Sequence, residues 1–160
     1  MSWLQWLANR FSGDSLPIST STPVASVSTV SRIGSPRKLV AGDLVTSLGE
    51  RQRVFVYLVA KLIQFAYDHG YELSFGEAYR SPQEAARLAA AGLGITNSLH
   101  TDRLAIDLNL FKDRKLLERS EDYAALGTYW KTLHPLCSWG GDFTTRPDGN
   151  HFSVSYGGRR

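Results

Sequence analysis

One cysteine and one methionine occur in 160 residues, and no apolar run approaches the roughly 18 residues that a bilayer span requires. The lone Cys137 excludes an intramolecular disulfide framework and a Cys-rich zinc ribbon, so packing has to hold the fold together. The first residues lack the basic start and continuous apolar stretch of a secretory signal, and no signal peptide is expected. What the chain does have is four Trp, seven Tyr and seven Phe, with 42% hydrophobic and 21% charged residues. That composition excludes a wholly disordered or collagen-like chain, and the length allows one core plus an appendage rather than two full domains.

The formal charge of +3 is unevenly placed. Arg10, Arg32, Arg37 and Lys38 face only Asp14 within residues 1–38, which leaves residues 39–160 formally neutral. With few basic residues and no interleaved motif, nucleic acid is not expected as a partner. Trp3, Leu4, Trp6, Leu7 and Phe11 share one side of a helical wheel ahead of Gly13, so residues 1–13 read as an amphipathic segment. It could anchor to a membrane or a partner, or cover part of the chain's own surface. Residues 14–38 have linker composition: from Ser15 to Pro36 there are seven Ser, three Thr and three Pro. Val24, Val27 and Val30 recur every third residue, a spacing that would let the linker lie along a surface.

From residue 39 to 160 the pattern is that of a folded domain. Val54, Leu58, Ile63, Phe65 and Ala66 mark a helix over 49–69 that stops at Gly70. Tyr71, Leu73 and Phe75 alternate with polar residues as a strand leading to Arg80. Ser81-Pro82-Gln83-Glu84 then combines an N-cap, a first-turn proline and a capping-box glutamate ahead of an alanine-rich helix ending at Gly92. Residues 104–111 alternate strictly, with Leu104, Ile106, Leu108 and Leu110 on one face and Ala105, Asp107 and Asn109 on the other. A helix from 121 to 133 stops before Pro135, and 151–154 reads as a closing strand. There is no βαβ rhythm, which predicts an α+β domain with a small antiparallel sheet and packed helices.

Asp107 is an anomaly, because a carboxylate in an apolar strand must be paired, bind a metal or face water. With His100 and His151 it makes the donor set of an open catalytic zinc site, although donor counting alone also fits ordinary core or surface histidines. His69 and His134 lie near helix C-termini, where the dipole favours imidazolium without a metal. Cys137 reads as a small buried hydrophobe. Glu77 is expected to pair with a cation, Asp102 and Asp113 to solvate loops, and Trp130 and Trp139 to fill the core, Trp139 with the option of walling a cleft.

The segment Ser98-Leu99-His100-Thr101-Asp102-Arg103-Leu104-Ala105-Ile106-Asp107 resembles the S-x-H-x-x-G-x-A-x-D signature of the M15 metallopeptidases. These are the VanY/VanX-like D-Ala-D-Ala carboxypeptidases and phage L-alanyl-D-glutamate endopeptidases. Trp139-Gly140-Gly141-Asp142-Phe143 followed by Asp148-Gly149-Asn150-His151-Phe152 is similar to the family's second motif, and Arg80 matches its arginine. The resemblance implies a hedgehog/DD-peptidase-like zinc peptidase fold. It also implies Zn2+ on His100, Asp107 and His151, Asp148 as catalytic acid/base, and Arg80 on an oxyanion or substrate carboxylate. Ser98 would orient the His100 segment, and Asp142 would partner a ligand histidine or simply form a turn. Arg103 departs from the pattern, standing where the family has glycine, so the turn between two ligands must accommodate a side chain.

The implied substrate is the stem peptide of bacterial peptidoglycan, and the implied setting is a phage endolysin or virion-associated hydrolase. Such a protein would move from host cytoplasm to periplasm and cell wall, or travel in the phage tail. The alternative is a phage virion component whose M15-like fold is structural or wall-binding, tethered to a phage structural protein through residues 1–38.

Overall fold

A computed structural model describes residues 47–160. The amphipathic segment 1–13, the linker 14–38 and the opening of the domain at 39–46 lie outside the described residues.

Helix α1 (Leu48–Asp68) starts at Ser47, whose hydroxyl accepts from the Glu50 amide while the Glu50 carboxylate accepts from the Ser47 amide, a reciprocal capping box. Val54, Phe55, Leu58, Val59, Leu62 and Ala66 form its buried stripe. Strand β1 (Glu72–Phe75) follows a turn at Gly70, whose φ of 75° suits glycine. Helix α2 (Pro82–Ala90) is capped by Ser81, which accepts from the Glu84 amide. The expected capping box is only half made, since the Glu84 carboxylate turns to Arg87 Nε at 2.8 Å.

Strand β2 (Ala105–Lys112) is the spine of the sheet. It pairs antiparallel with β1 on one edge, and on the other with β3 (Lys115–Leu117) and β5 (His151–Val154). β4 (Cys137–Trp139) extends the sheet beyond β5. A 3-10 turn at Ser120–Tyr123 leads into α3 (Ala124–Leu133), so the helix expected from residue 121 begins as a tighter turn. The antiparallel sheet with helices packed on it is the α+β architecture that the patterning predicts.

α1 and α3 cover one face of the sheet, and the core lies between them. Leu104, Leu108, Leu110, Leu126, Trp130, Phe152 and Val154 are all fully buried there. Trp130 satisfies its indole N–H on the Ser138 and Ser153 carbonyls, both at 3.1 Å, tying α3 to the β4–β5 pair. Among the described residues no helix is long and apolar enough to cross a membrane.

Candidate metal centre

Asp107 and His151 are direct cross-strand partners in the β2–β5 ladder, so the sheet register itself brings their side chains together. His100 arrives from the opposite direction, on a short 3-10 turn (Leu99–Asp102). The turn is anchored by the buried Leu99 and capped by Ser98, whose hydroxyl accepts from the His100 amide at 3.3 Å. Ser98 thereby caps the turn that carries His100.

The three donor atoms form a nearly equilateral triangle. His100 Nε2 is 3.2 Å from His151 Nδ1 and 3.3 Å from Asp107 Oδ1, and His151 Nδ1 is 3.1 Å from Asp107 Oδ1. Each ring nitrogen carries at most one in-plane proton, so protons cannot bridge all three edges with good geometry. A tetrahedral ion with bonds of about 2.0–2.1 Å sets its donors about 3.3 Å apart, and two imidazoles with one carboxylate are a zinc-type set. The residues present therefore fit a metal. Burial would raise the Asp107 carboxyl, but the hydrogen bonds and charges of His100 and His151 outweigh it and hold it down to about 2, keeping the carboxylate ionised. His100 Nδ1 is buried and has no hydrogen-bond partner among the described residues, so packing and the turn orient this ring.

Beside His100 and His151 opens a cavity of about 330 Å³, whose walls also include Arg80 and Asp148. Asp148 is exposed there, and its main chain is fixed at both ends: its amide donates to the Gly140 carbonyl at 2.9 Å and its carbonyl accepts from the His151 amide at 3.1 Å. The glycines of the second motif have a steric reason. A Cβ at Gly140 would come within 2.3 Å of the Asp148 carbonyl oxygen, and one at Gly141 within 2.2 Å of the Trp139 ring. Trp139 donates its indole N–H to the Gly149 carbonyl at 2.7 Å, so it props the Asp148 loop from within the core rather than walling the cleft.

Arg80 and Glu77 are a unit that sequence reading left as two separate expectations. Arg80 Nε lies 2.9 Å from Glu77 Oε2, and the Nη2 group also bonds that carboxylate. This bonding raises the guanidinium pKa against the effect of burial. The Glu77 carbonyl accepts from the Asp107 amide at 2.8 Å, and the Arg80 amide donates to the His100 carbonyl at 3.3 Å. The same short segment thus braces Asp107 and His100, two of the three candidate donors, and aims Arg80. The signal for it was present as an acid three residues before the arginine.

Several expectations change. Asp142 does not partner a ligand histidine; its carboxylate takes Lys131 Nζ at 2.6 Å, because the short turn it occupies lies against α3. Asp102 is more than a solvated loop residue, since it binds Arg159 at 2.5 Å. Arg103 adopts φ 55° and ψ 39°, the left-handed conformation that glycine takes most readily, and its guanidinium stacks 4.0 Å over the Tyr79 ring, outside the cavity walls. His134 is disfavoured as imidazolium, because burial and the Arg51 charge lower its pKa and its Nδ1 accepts from the Leu136 amide. Cys137 is half-buried rather than buried, and that burial pushes its thiol up to about 12, which disfavours the reactive thiolate.

In an α+β domain, a part-buried group of two imidazoles and one carboxylate opening on a cleft is a donor set that could hold a metal ion. The family model described as D-alanyl-D-alanine carboxypeptidase, Peptidase_M15_4, matches residues 92–154, a span that includes His100, Asp107, Asp148 and His151. Among solved structures, the L-Ala D-Glu endopeptidase ChiX of Serratia marcescens has a similar fold, with a TM-score of 0.56 and 18% identity over 76% of this chain and 96% of that one. No curated protein matches the chain significantly. The matched segment, which spans both motifs, is similar to the M15 family, and the solved structure shares the fold.

Proposed function

We propose that the protein is a zinc-dependent peptidoglycan hydrolase that cleaves an amide bond of the stem peptide, with L-Ala–D-Glu endopeptidase activity favoured over D-Ala-D-Ala carboxypeptidase activity. The observation that carries this reading is the His100–Asp107–His151 triangle, two of whose members, His100 and His151, share a cavity wall with Asp148. The fold shared with an endopeptidase supports the choice of bond.

His100, Asp107 and His151 would hold the zinc ion, which when bound would supply Lewis acidity to the scissile carbonyl and lower the pKa of a water toward neutrality. Asp148, exposed in the cavity and with no side-chain hydrogen bond among the described residues, accepts the attacking water's proton on its carboxylate and returns it to the leaving amine nitrogen. Arg80, aimed by Glu77, donates N–H groups to the carbonyl oxygen as negative charge develops there. Ser98 and the braces around residues 76–80 keep the donors preorganised.

The phage setting, passage to the wall or carriage in a virion, and a tether through residues 1–38 belong to the same reading and rest on sequence alone. The test is digestion of purified peptidoglycan with the zinc-loaded protein, with product termini identified by mass. New amino-terminal D-Glu is expected, lost with chelator, and Asp148→Ala should retain the metal while turnover falls about 10²–10⁴-fold. Full turnover by Asp148→Ala overturns the mechanism.

A further inference from the structure

Asp148 belongs to the walls of two cavities. One is the cavity of about 330 Å³ already described; the other, of about 340 Å³, is lined by Asn109, Glu118, Ser120, Asn150 and their neighbours. Both fall at the lower end of the range for ligand pockets, and they meet at the residue placed to carry the proton.

Their chemistry is opposite. The first presents Arg80, Arg146, Arg159 and Arg160 together with the exposed Leu93 and Ile95. Arg80 and Arg159 are paired with Glu77 and Asp102, whereas Arg146 and Arg160 make no hydrogen bond or ion pair among the described residues. Among the described residues, the second has no lysine or arginine in its wall. Among the described residues its one charged side chain besides Asp148 is Glu118, which makes no hydrogen bond or ion pair with any of them. Asn109 donates one amide N–H to Ser74 and keeps its carbonyl oxygen available.

The floor of the second cavity is a built feature. The Gly149 amide donates to Ser120 Oγ at 3.1 Å, the Gly149 carbonyl accepts from Trp139, and a Cβ at Gly149 would come within 2.5 Å of Ser120 Cα. Core packing of Trp139 thus holds this floor and the Asp148 main chain in one piece.

We propose that the Glu118 cavity is a second substrate subsite. The bound peptide lies across Asp148, with its carboxylate-bearing half in the arginine-lined cavity and a neutral or amine-bearing half beside Glu118. Guanidinium groups recognise carboxylates, while a carboxylate ringed by amide and hydroxyl groups recognises an ammonium or amide. A site with room on both sides of the reacting position takes a bond inside a peptide rather than its last one. This inference rests on the peptidase reading for the role of Asp148, and binding tests it separately from turnover.

The experiment measures calorimetric Kd values with the metal-free protein, which does not consume its ligand. The probes are L-Ala-γ-D-Glu-L-Lys-D-Ala and the truncated γ-D-Glu-L-Lys-D-Ala. Truncation is expected to weaken binding about tenfold. Glu118→Lys, an exposed position, is expected to weaken the full peptide about tenfold and leave the truncated one unchanged. Equal Kd values for the two peptides, no binding of either, or an unchanged Kd for the full peptide with Glu118→Lys overturns the subsite. Hydrolysis by the zinc-loaded protein is followed in parallel. Selective binding without hydrolysis keeps the subsite and removes the peptidase reading, and hydrolysis with indifferent binding does the reverse.

Discussion

Asp107 and His151 hang from a strand pair, whereas His100 hangs from a turn, and the two regions are stabilised by different means. In the strand pair, the register Asp107↔His151 continues as Ile106↔Phe152 and Ala105↔Ser153, so the same ladder that buries Phe152 also sets the two ligands side by side. The turn has no such ladder. It is held piecemeal by the Ser98 cap, by Gln52 Nε2 on the Asp102 carbonyl at 2.8 Å, and by Arg159 on Asn97 and Asp102. Geometry in the ladder is therefore collective and fails only with the core. Geometry in the turn is local and can be loosened one contact at a time.

That contrast can be broken at its strongest point first. Phe152→Ala removes a fully buried ring that packs edge-on against Trp130, and should cost about 3–5 kcal/mol in denaturant unfolding, taking the site with it. Loss of metal binding with stability intact would show that the ladder is not collective. Ser98→Ala should do the opposite: metal affinity falls about tenfold, while stability falls by about 1 kcal/mol, the usual worth of a cap. Arg103→Gly sharpens the contrast further. Relief of about 1–2 kcal/mol of left-handed backbone cost is opposed by the added freedom of glycine in the unfolded chain and by loss of the Tyr79 stack, so net stability should move by less than about 1 kcal/mol. Smallest of all is the effect of thiol reagents. With Cys137 raised to about 12, the protonated form dominates below that pH, and alkylation at pH 8 should be negligible until the protein is unfolded.

The elements legible in the sequence were those long enough to show a period. α1, α2, β2 and β5 lie within a few residues of their expected bounds, and the strict alternation over 104–111 located Asp107 on the face opposite Leu104 and Leu108. β3 and β4 were not legible, because three residues carry no usable periodicity. The β2–β3 hairpin also turns through Asp113 and Arg114 at positive φ, without the glycine that usually marks such a turn. Within the site, the three donors could be named from the motif residues, but their convergence depends on a strand register and a turn that no local pattern encodes. The prop from Trp139 to Gly149 is likewise a product of tertiary packing, whereas the Glu77–Arg80 pair is local and its three-residue spacing stands in the sequence.

The central claim is that His100, Asp107 and His151 together hold one zinc ion. It is tested most directly by measuring metal content after exhaustive dialysis of the full chain against zinc-containing buffer, for the wild type and for His100→Ala, whose ligand lies outside the ladder. One zinc per wild-type chain, and none in a His100→Ala protein that remains folded by circular dichroism, is the predicted result. A folded wild type without zinc, or equal zinc in both proteins, would contradict it.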